Sequence, residues 1–373
     1  MASLANECTV IDRIFRHIDQ ASTDLSDGIW REPVQHYRSP SRFEAEIERV
    51  LRRTPTPFCP SAALTEPGSY VARDAALTPI IAIRGRDGVV RAFRNACRHR
   101  GVQLAGSMGS VKALTCRYHG WTYSLEGRLR AIPHEYGFPD VDKEERSLVP
   151  VHTVERHGMV FVTQENGTEP GNELAELDGL LPSSLQLVNA TEQEFDANWK
   201  IVAEGSLEGY HIRSTHRDTF FPIQYDNLNL VESFGRNSRI TFPYRRIEKL
   251  RSAPAHERRA AGMLTHVYHL FPNVIVATFP TNTLLTVLEP VSVARTRLVT
   301  HTLSDQAGHE EGRGAVSQAR AFVTAGTDED RMMTCSAQRS LASGANDSFL
   351  FGRFEGAIRH LHRNLDEAIR AGT

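Results

Sequence analysis

The chain has no surplus of either charge. Lys and Arg number 43 against 45 Asp and Glu, a formal net charge of −2 over 373 residues. Nothing in that balance suggests nucleic acid or a membrane surface as a partner. No apolar run approaches the length of a membrane span. The start, Met1-Ala-Ser-Leu-Ala-Asn-Glu-Cys8, has no basic stretch followed by an apolar one, so no signal peptide is expected. Cysteine is scarce, at five. A low, odd count argues against a disulfide framework and for a reducing compartment, here the cytoplasm. Gly-x-Gly-x-x-Gly is absent, so nicotinamide or flavin should sit on another protein. Repeats and low-complexity tracts are absent too, and the length fits about two domains.

Two cysteines fall in a pattern. Cys97-Arg98-His99 and Cys116-Arg117-Tyr118-His119 each join a thiol to an imidazole on a short loop. Sixteen residues, Arg100 to Thr115, separate them. This set suits a Rieske-type [2Fe–2S] cluster, in which two His replace two Cys on one iron and raise its potential. A structural zinc site competes, but zinc typically takes Cys-Cys and His-His pairs rather than two mixed ones. Gly101, Gly106, Gly109 and Gly120 near the loops let backbone N–H groups approach sulfides closely.

The elements divide into two styles. Residues 1–45 read as mainly helical and polar, and 41–53 carry an apolar stripe at Phe43, Ile47 and Leu51. Strands at 80–84 and 89–93 flank a hairpin turn at 85–88. Further strands are expected at 111–115 and 121–125, which puts both ligand loops at hairpin tips of a small β domain ending near Thr163. A polar link follows at 164–171. Beyond it, 198–215 reads as a helix, 240–244, 274–279, 284–288 and 296–303 as strands, and 328–341 and 355–369 as helices. That order suggests an α+β layer on one antiparallel sheet.

The segment from Asn198 to His216 carries a second constellation. His211 and His216 are five apart, about 140° around a regular helix. To meet at one ion, the helix must end or distort between them. Glu204, Glu208 and His211 share a helical face. The bland alternative is a solvated face with two incidental histidines. A one-electron donor needs an acceptor, however, and two His with one carboxylate bind non-haem Fe(II) with positions left open for O₂. The carboxylate must come from elsewhere, and Asp328-Glu329-Asp330 opens a predicted helix. Capping and helix-dipole complementarity are the plain reading of that trio. His266, His269, His360 and His362 are expected to be surface or core residues. Phe271, Phe279, Phe322, Phe349 and Phe351 could line a pocket, and Arg245-Arg246 could pair a substrate carboxylate. Core packing and a solvated turn are the commoner explanations.

These residues resemble the catalytic α subunits of Rieske non-haem iron ring-hydroxylating oxygenases. Cys97 to Gly101 and Cys116 to Tyr123 are similar to that family's cluster signature. Asn198-Trp199-Lys200 with Glu204 to His216 is similar to its iron signature, and 330–339 to its last ligand helix. The resemblance implies an α+β chain with an all-β Rieske domain and a helix-grip catalytic domain, an antiparallel sheet wrapped around a long helix. The expected division is 1–45 as a helical segment packing on the catalytic domain, 46–165 as the Rieske domain, and 166–373 as the catalytic domain.

Cys97, His99, Cys116 and His119 are then the cluster ligands, and His211, His216 and Asp330 hold Fe²⁺. Glu208 and Asn198 are the residues expected to serve catalysis, Glu208 as a bridge to His119 of a neighbouring subunit. The implied assembly is a homotrimer or an α₃β₃ complex. The implied activity is that of a terminal oxygenase. It would hydroxylate, dihydroxylate or oxidatively dealkylate a small apolar, aromatic substrate, as in aromatic compound catabolism. Electrons would come from NAD(P)H through a separate flavin/iron–sulfur reductase, with or without a ferredoxin. A Rieske electron carrier and an apolar-ligand-binding helix-grip protein are the competing functions; each leaves at least one metal motif unused.

Overall fold

The structure, a computed structural model, describes residues 4–165, 167–305 and 310–371. The chain forms two compact units: Arg52–Gly171 with Leu177–Ser183, and Met1–Leu51 with Asn172–Glu176 and Ser184–Thr373.

The smaller unit is all β apart from short turns. Its main sheet is antiparallel, with strands ordered Thr56–Pro60, Met159–Thr163, Pro150–Arg156, Val90–Arg94, Thr78–Arg84, Ser69–Ala75 and Ser107–Ser110. The hairpin expected at 85–88 is present, closed by Gly85 N–H to Val89 C=O and by Gly88 N–H to Gly85 C=O. A second, three-stranded sheet joins Leu114–Thr115, Thr122–Tyr123 and Leu129–Ala131. The first two are shorter than their sequence suggests: residues 111–113 lie outside the first, and a turn closed by Ser124 N–H to Arg128 C=O ends the second. Cys97 and Cys116 sit in one apolar cluster with Ile81, Phe93, Trp121 and Leu125.

The larger unit is built on one seven-stranded antiparallel sheet. Its strands are β1 (Gln186–Phe195), β2 (Leu230–Phe234), β3 (Asn237–Pro243), β4 (Leu264–Leu270), β5 (Val274–Thr278), β6 (Thr283–Ser292) and β7 (Arg295–Ser304). Across the sheet they run β1-β7-β6-β5-β4-β3-β2. The last helix, Gly356–Ala371, buries Ala357, Ile358, Leu361 and Leu365. That spacing puts one apolar stripe on the helix, and the stripe packs with Trp199, Ile240 and Phe271. Truncating Leu361 to Ala would cost roughly 2–5 kcal/mol, as at other fully buried leucines.

The N-terminal segment, Met1–Leu51, belongs to this unit. Val50 packs in its core with Phe195 and Trp199, and an ion pair adds to that contact. Glu46 is fully buried and accepts hydrogen bonds from Trp199 Nε1 (2.9 Å) and Lys200 Nζ (2.8 Å). A buried carboxylate and a buried ammonium each need the other, so the turn carrying Glu46 stays with the Lys200 helix. Trp30–Pro33 also pairs with Ser348–Phe351 as a separate two-stranded ribbon.

Candidate metal centres

The two cysteine loops are built alike. Cys97 N–H donates to Val102 C=O, and Gly101 N–H returns to Cys97 C=O. Cys116 N–H donates to Trp121 C=O, and Gly120 N–H returns to Cys116 C=O. The glycine closing each loop is left-handed, with φ +76° at Gly101 and +75° at Gly120, where a side chain would be strained. Both thiols are buried, whereas His119 is exposed and His99 intermediate. The imidazoles face each other at 4.7 Å between ring centroids, and His99 stacks on Trp121.

His99 Nδ1 is buried with no hydrogen-bond partner. An orphaned ring nitrogen in a folded core calls for an occupant. Burial, then the neighbouring His119 and Arg100, lower the His99 pKa, which keeps the ring neutral and able to ligate. The Tyr123 hydroxyl accepts from Arg98 N–H (2.9 Å) and lies 3.3 Å from Cys97 Sγ, so its own proton is free for the sulfur. Two buried thiols, two adjacent imidazoles and an orphaned nitrogen fit a [2Fe–2S] cluster.

The iron motif lies on two helices instead of one. Trp199–Gly205 ends at Ser206, and a second short helix, Ile212–Thr215, follows. His211 and His216 flank that second helix as its two caps. The break falls before His211 and not between the two histidines, where the spacing predicts it; the rings meet as the two ends of the short helix, with Nε2 to Nε2 at 3.1 Å. Glu204 therefore does not share a face with Glu208. It ends the first helix pointing into the core, where it accepts from Tyr37 Oη (2.6 Å) and bonds His362 Nε2 (2.8 Å).

Asp330 completes the group. Its Oδ1 is 3.1 Å from His216 Nε2 and 3.6 Å from His211 Nε2. Among the described residues these three form the one group of His, Cys, Asp and Glu whose ligand atoms all lie within 4.8 Å. Asp330 sits inside a 31-residue helix, Glu310–Ser340, that starts well before 328. Helix capping therefore does not explain the acidic trio. Asp328 only accepts from Gln193 Nε2 at 3.3 Å.

A carboxylate holds each imidazole from behind. Glu208 takes His211 Nδ1 with one oxygen, and its other oxygen accepts from the backbone N–H of Tyr210 and His211. Glu329 takes His216 Nδ1 at 2.7 Å and is itself held by the Thr219 hydroxyl at 2.7 Å. With each Nδ1–H donated backward, both Nε2 lone pairs point at the Asp330 carboxylate. Three acceptors converging on one point repel unless a cation lies between them, so the residues fit a metal ion. Burial opposes charge on His211, but the bond to Glu208 and the nearby Asp330 outweigh it and raise its pKa. Burial likewise favours a protonated Glu329, and the bonds from His216 and Thr219 reverse that.

Sequence reasoning missed Glu329 as a support for His216. The signal existed: a ligating imidazole nearly always gives its other N–H to a carboxylate or carbonyl. Asn198, expected among the catalytic residues, lies elsewhere. It caps the first helix, accepts from Lys200 N–H, and donates to Val293 C=O at 2.7 Å. Its amide is committed to the backbone, and it does not line the cavity described next.

A cavity of about 260 Å³ opens onto His211, His216 and Asp330. Its aromatic lining is Phe195, Phe220, Phe242 and Phe279. Of the phenylalanines singled out in the sequence, only Phe279 reaches it. Phe322 lines a neighbouring cavity together with Arg245 and Arg246, and Phe271 and Phe351 are core. His266 and His269 lie in β4, where burial first of all lowers their pKa to about 3 and about 4.

The chain matches two family descriptions. Residues 182–371 match the ring-hydroxylating α subunit catalytic domain, and 54–150 match the Rieske [2Fe–2S] domain. The carnitine monooxygenase oxygenase subunit of Acinetobacter pittii is 32% identical over 232 residues, 58% of this chain and 62% of that protein. The chain thus spans less than two thirds of that relative's length. Among solved structures, a quaternary ammonium Rieske monooxygenase in complex with L-carnitine is similar with TM-score 0.76, at 22% identity over 98% of this chain and 99% of that one. Naphthalene 1,2-dioxygenase from Rhodococcus sp. bound to indole is similar with TM-score 0.78, at 18% identity over 98% of each chain. At these identities the likeness is one of fold.

Proposed function

The chain belongs to the ring-hydroxylating α-subunit family, with a Rieske [2Fe–2S] domain preceding its catalytic domain, and we propose that it is the terminal oxygenase of a system fed by a separate reductase. The observation that carries this reading is the convergence of His211 Nε2, His216 Nε2 and Asp330 Oδ1 beneath a cavity. An electron carrier would need no such group, and a passive binding module would need neither metal motif.

In this reading Cys97, His99, Cys116 and His119 hold the cluster, and His211, His216 and Asp330 hold Fe²⁺. When bound, the cluster supplies single electrons and the iron activates O₂ beside the substrate. The chain's own residues do the rest. Glu208 and Glu329 fix the ring planes and keep the proton of each imidazole on Nδ1, leaving Nε2 free. The apolar wall of Val267, Ile275 and Leu288 excludes water from the cavity and positions an organic substrate.

Electrons are proposed to pass between copies of this chain in a ring of three. The Glu208 carboxylate, already on His211, would meet His119 of a second copy. The exposure of His119 and the half-exposed Tyr118 beside it support that role. Likeness does not choose the substrate, because a relative is named for carnitine and a fold neighbour for naphthalene. The expectation of aromatic compound catabolism is weakened accordingly.

The test is iron content together with oxygen chemistry. About three irons per chain, with reductase-dependent O₂ incorporation into an organic product, is the expected result. About two irons and no product would return the chain to an electron carrier.

A further inference from the structure

The cavity over His211, His216 and Asp330 changes character across the sheet. Strand register sets this. One row of neighbours runs Thr191, Thr300, Thr286, Ile275 from β1 through β7 and β6 to β5. The next runs Asn189, Thr302, Leu284, Ala277. All eight side chains line the cavity. Asn189 and Thr191 of β1, Thr300 and Thr302 of β7 and Thr286 of β6 thus form a patch of hydroxyls and an amide, bordered by Leu284 of β6 and by Ile275 and Ala277 of β5.

That patch is neutral. Among the described residues no Lys or Arg lines the cavity, and its only carboxylates are Glu208 and Asp330. Those two are occupied with the histidines. Arg245 and Arg246 lie in the neighbouring cavity.

We infer that the cavity selects a neutral organic substrate that joins an apolar body to one hydrogen-bonding oxygen, a hydroxyl, ether or carbonyl, seated against the Thr286–Thr300 pair. This rests on the oxygenase reading and names its substrate class. Thr286 and Thr300 hydroxyls are 3.1 Å apart. When one donates to the other, one hydroxyl proton and several lone pairs remain for a ligand. A pure hydrocarbon would desolvate those hydroxyls without replacing the water. A quaternary ammonium would lose its hydration with no carboxylate free to meet it, and a carboxylate seated on the hydroxyl patch would find no Lys or Arg there. The volume of about 260 Å³ lies near the low end for ligand pockets and suits one ring or two fused rings.

The test is anaerobic calorimetry on the iron-loaded protein with four ligands sharing one skeleton: indane, indanone, an indane carboxylate and an indanyl trimethylammonium. Indanone should bind most tightly. In the Thr286→Val/Thr300→Val double variant, which keeps the branched shape of both side chains, its affinity should fall about 3- to 10-fold, the worth of one hydrogen bond. Indane should bind that variant as well as the parent or better. Tightest binding of either charged ligand by the parent protein would overturn the inference, whether or not the variant folds. So would equal weakening of indane and indanone in the variant. Reductase-dependent product from the parent is scored separately. Its absence beside the expected binding order would count against the oxygenase activity and leave the substrate class supported.

Discussion

Two consecutive residues of one helix grip both nitrogens of one ring. Asp330 Oδ1 lies 3.1 Å from His216 Nε2, and Glu329 Oε2 lies 2.7 Å from His216 Nδ1. The proposed ligand and the carboxylate that orients its neighbour are thus set by a single turn of backbone.

Asp330→Ala should lose mononuclear iron outright. Glu329→Leu should keep the three ligands but bind Fe²⁺ about 10–100-fold more weakly, the usual loss when a supporting carboxylate goes. Asp328→Ala should bind as the parent does. Anaerobic Fe²⁺ titration measures all three. Loss of iron in the Asp328 variant, with retention in the Asp330 variant, would move the ligand along the helix.

Cys97→Ala or His119→Ala should abolish the Rieske absorption and EPR signals. Tyr123→Phe should keep the cluster and lower its potential, because a hydrogen bond to sulfur stabilises the reduced, more negative state. Redox titration followed by EPR reads the shift. An unchanged potential would mean that the Tyr123 proton points away from Cys97.

Glu208→Gln should retain both metal centres, since the amide oxygen can still accept from His211 Nδ1. It should accept electrons from the reductase normally and reoxidise slowly with substrate and O₂. Stopped-flow reoxidation at the parent rate would leave Glu208 with the orientation of His211 alone.

His362 predicts a pH dependence of stability. Burial opposes its charge, but the hydrogen bond to Glu204 (2.8 Å) and the Glu32 carboxylate 3.3 Å away push it up to about 9. A raised histidine pKa stabilises fully below its unfolded value near 6.5 and loses that contribution as pH climbs through 9. Glu32 is shifted oppositely. Burial alone would raise it, yet His36 and His362 hold it far below the carboxylate range, so its contribution is full at neutral pH and is lost progressively as pH falls below the ordinary carboxylate range. Urea midpoints should therefore fall between pH 7 and 10, by up to about 3 kcal/mol. In His362→Leu that slope should flatten. A parent protein equally stable at both pH values would contradict the assignment.

The ligand loops and the iron motif were legible because metal chemistry restricts residue type and spacing together. The site of the break was not: the spacing predicts it between His211 and His216, but the helix ends at Gly205, before His211, and the two histidines cap one short intact helix. Glu329 was missed because the resemblance marked only Asp330 as the ligand, and which of the three adjacent carboxylates takes His216 Nδ1 is set by how the two helices meet. The start of the ligand helix was hidden by Gly312 and Gly314, weak helix formers through which the helix nonetheless runs. Asn198 misled because one residue type both caps helices and turns up beside metal motifs. Glu204 misled because its face was drawn on a helix that ends at Gly205.

In a Rieske cluster one iron takes both cysteines and the other both histidines. Each of the two matching loops offers one of each. If the four residues ligate as proposed, every iron must draw one ligand from 97–99 and one from 116–119, and neither loop can hold metal alone. Residues 100–115 are then closed into a ring by two bridges rather than one. Cluster insertion works as a double clasp, refused by a half-formed domain, and its colour reports that both tips have come together.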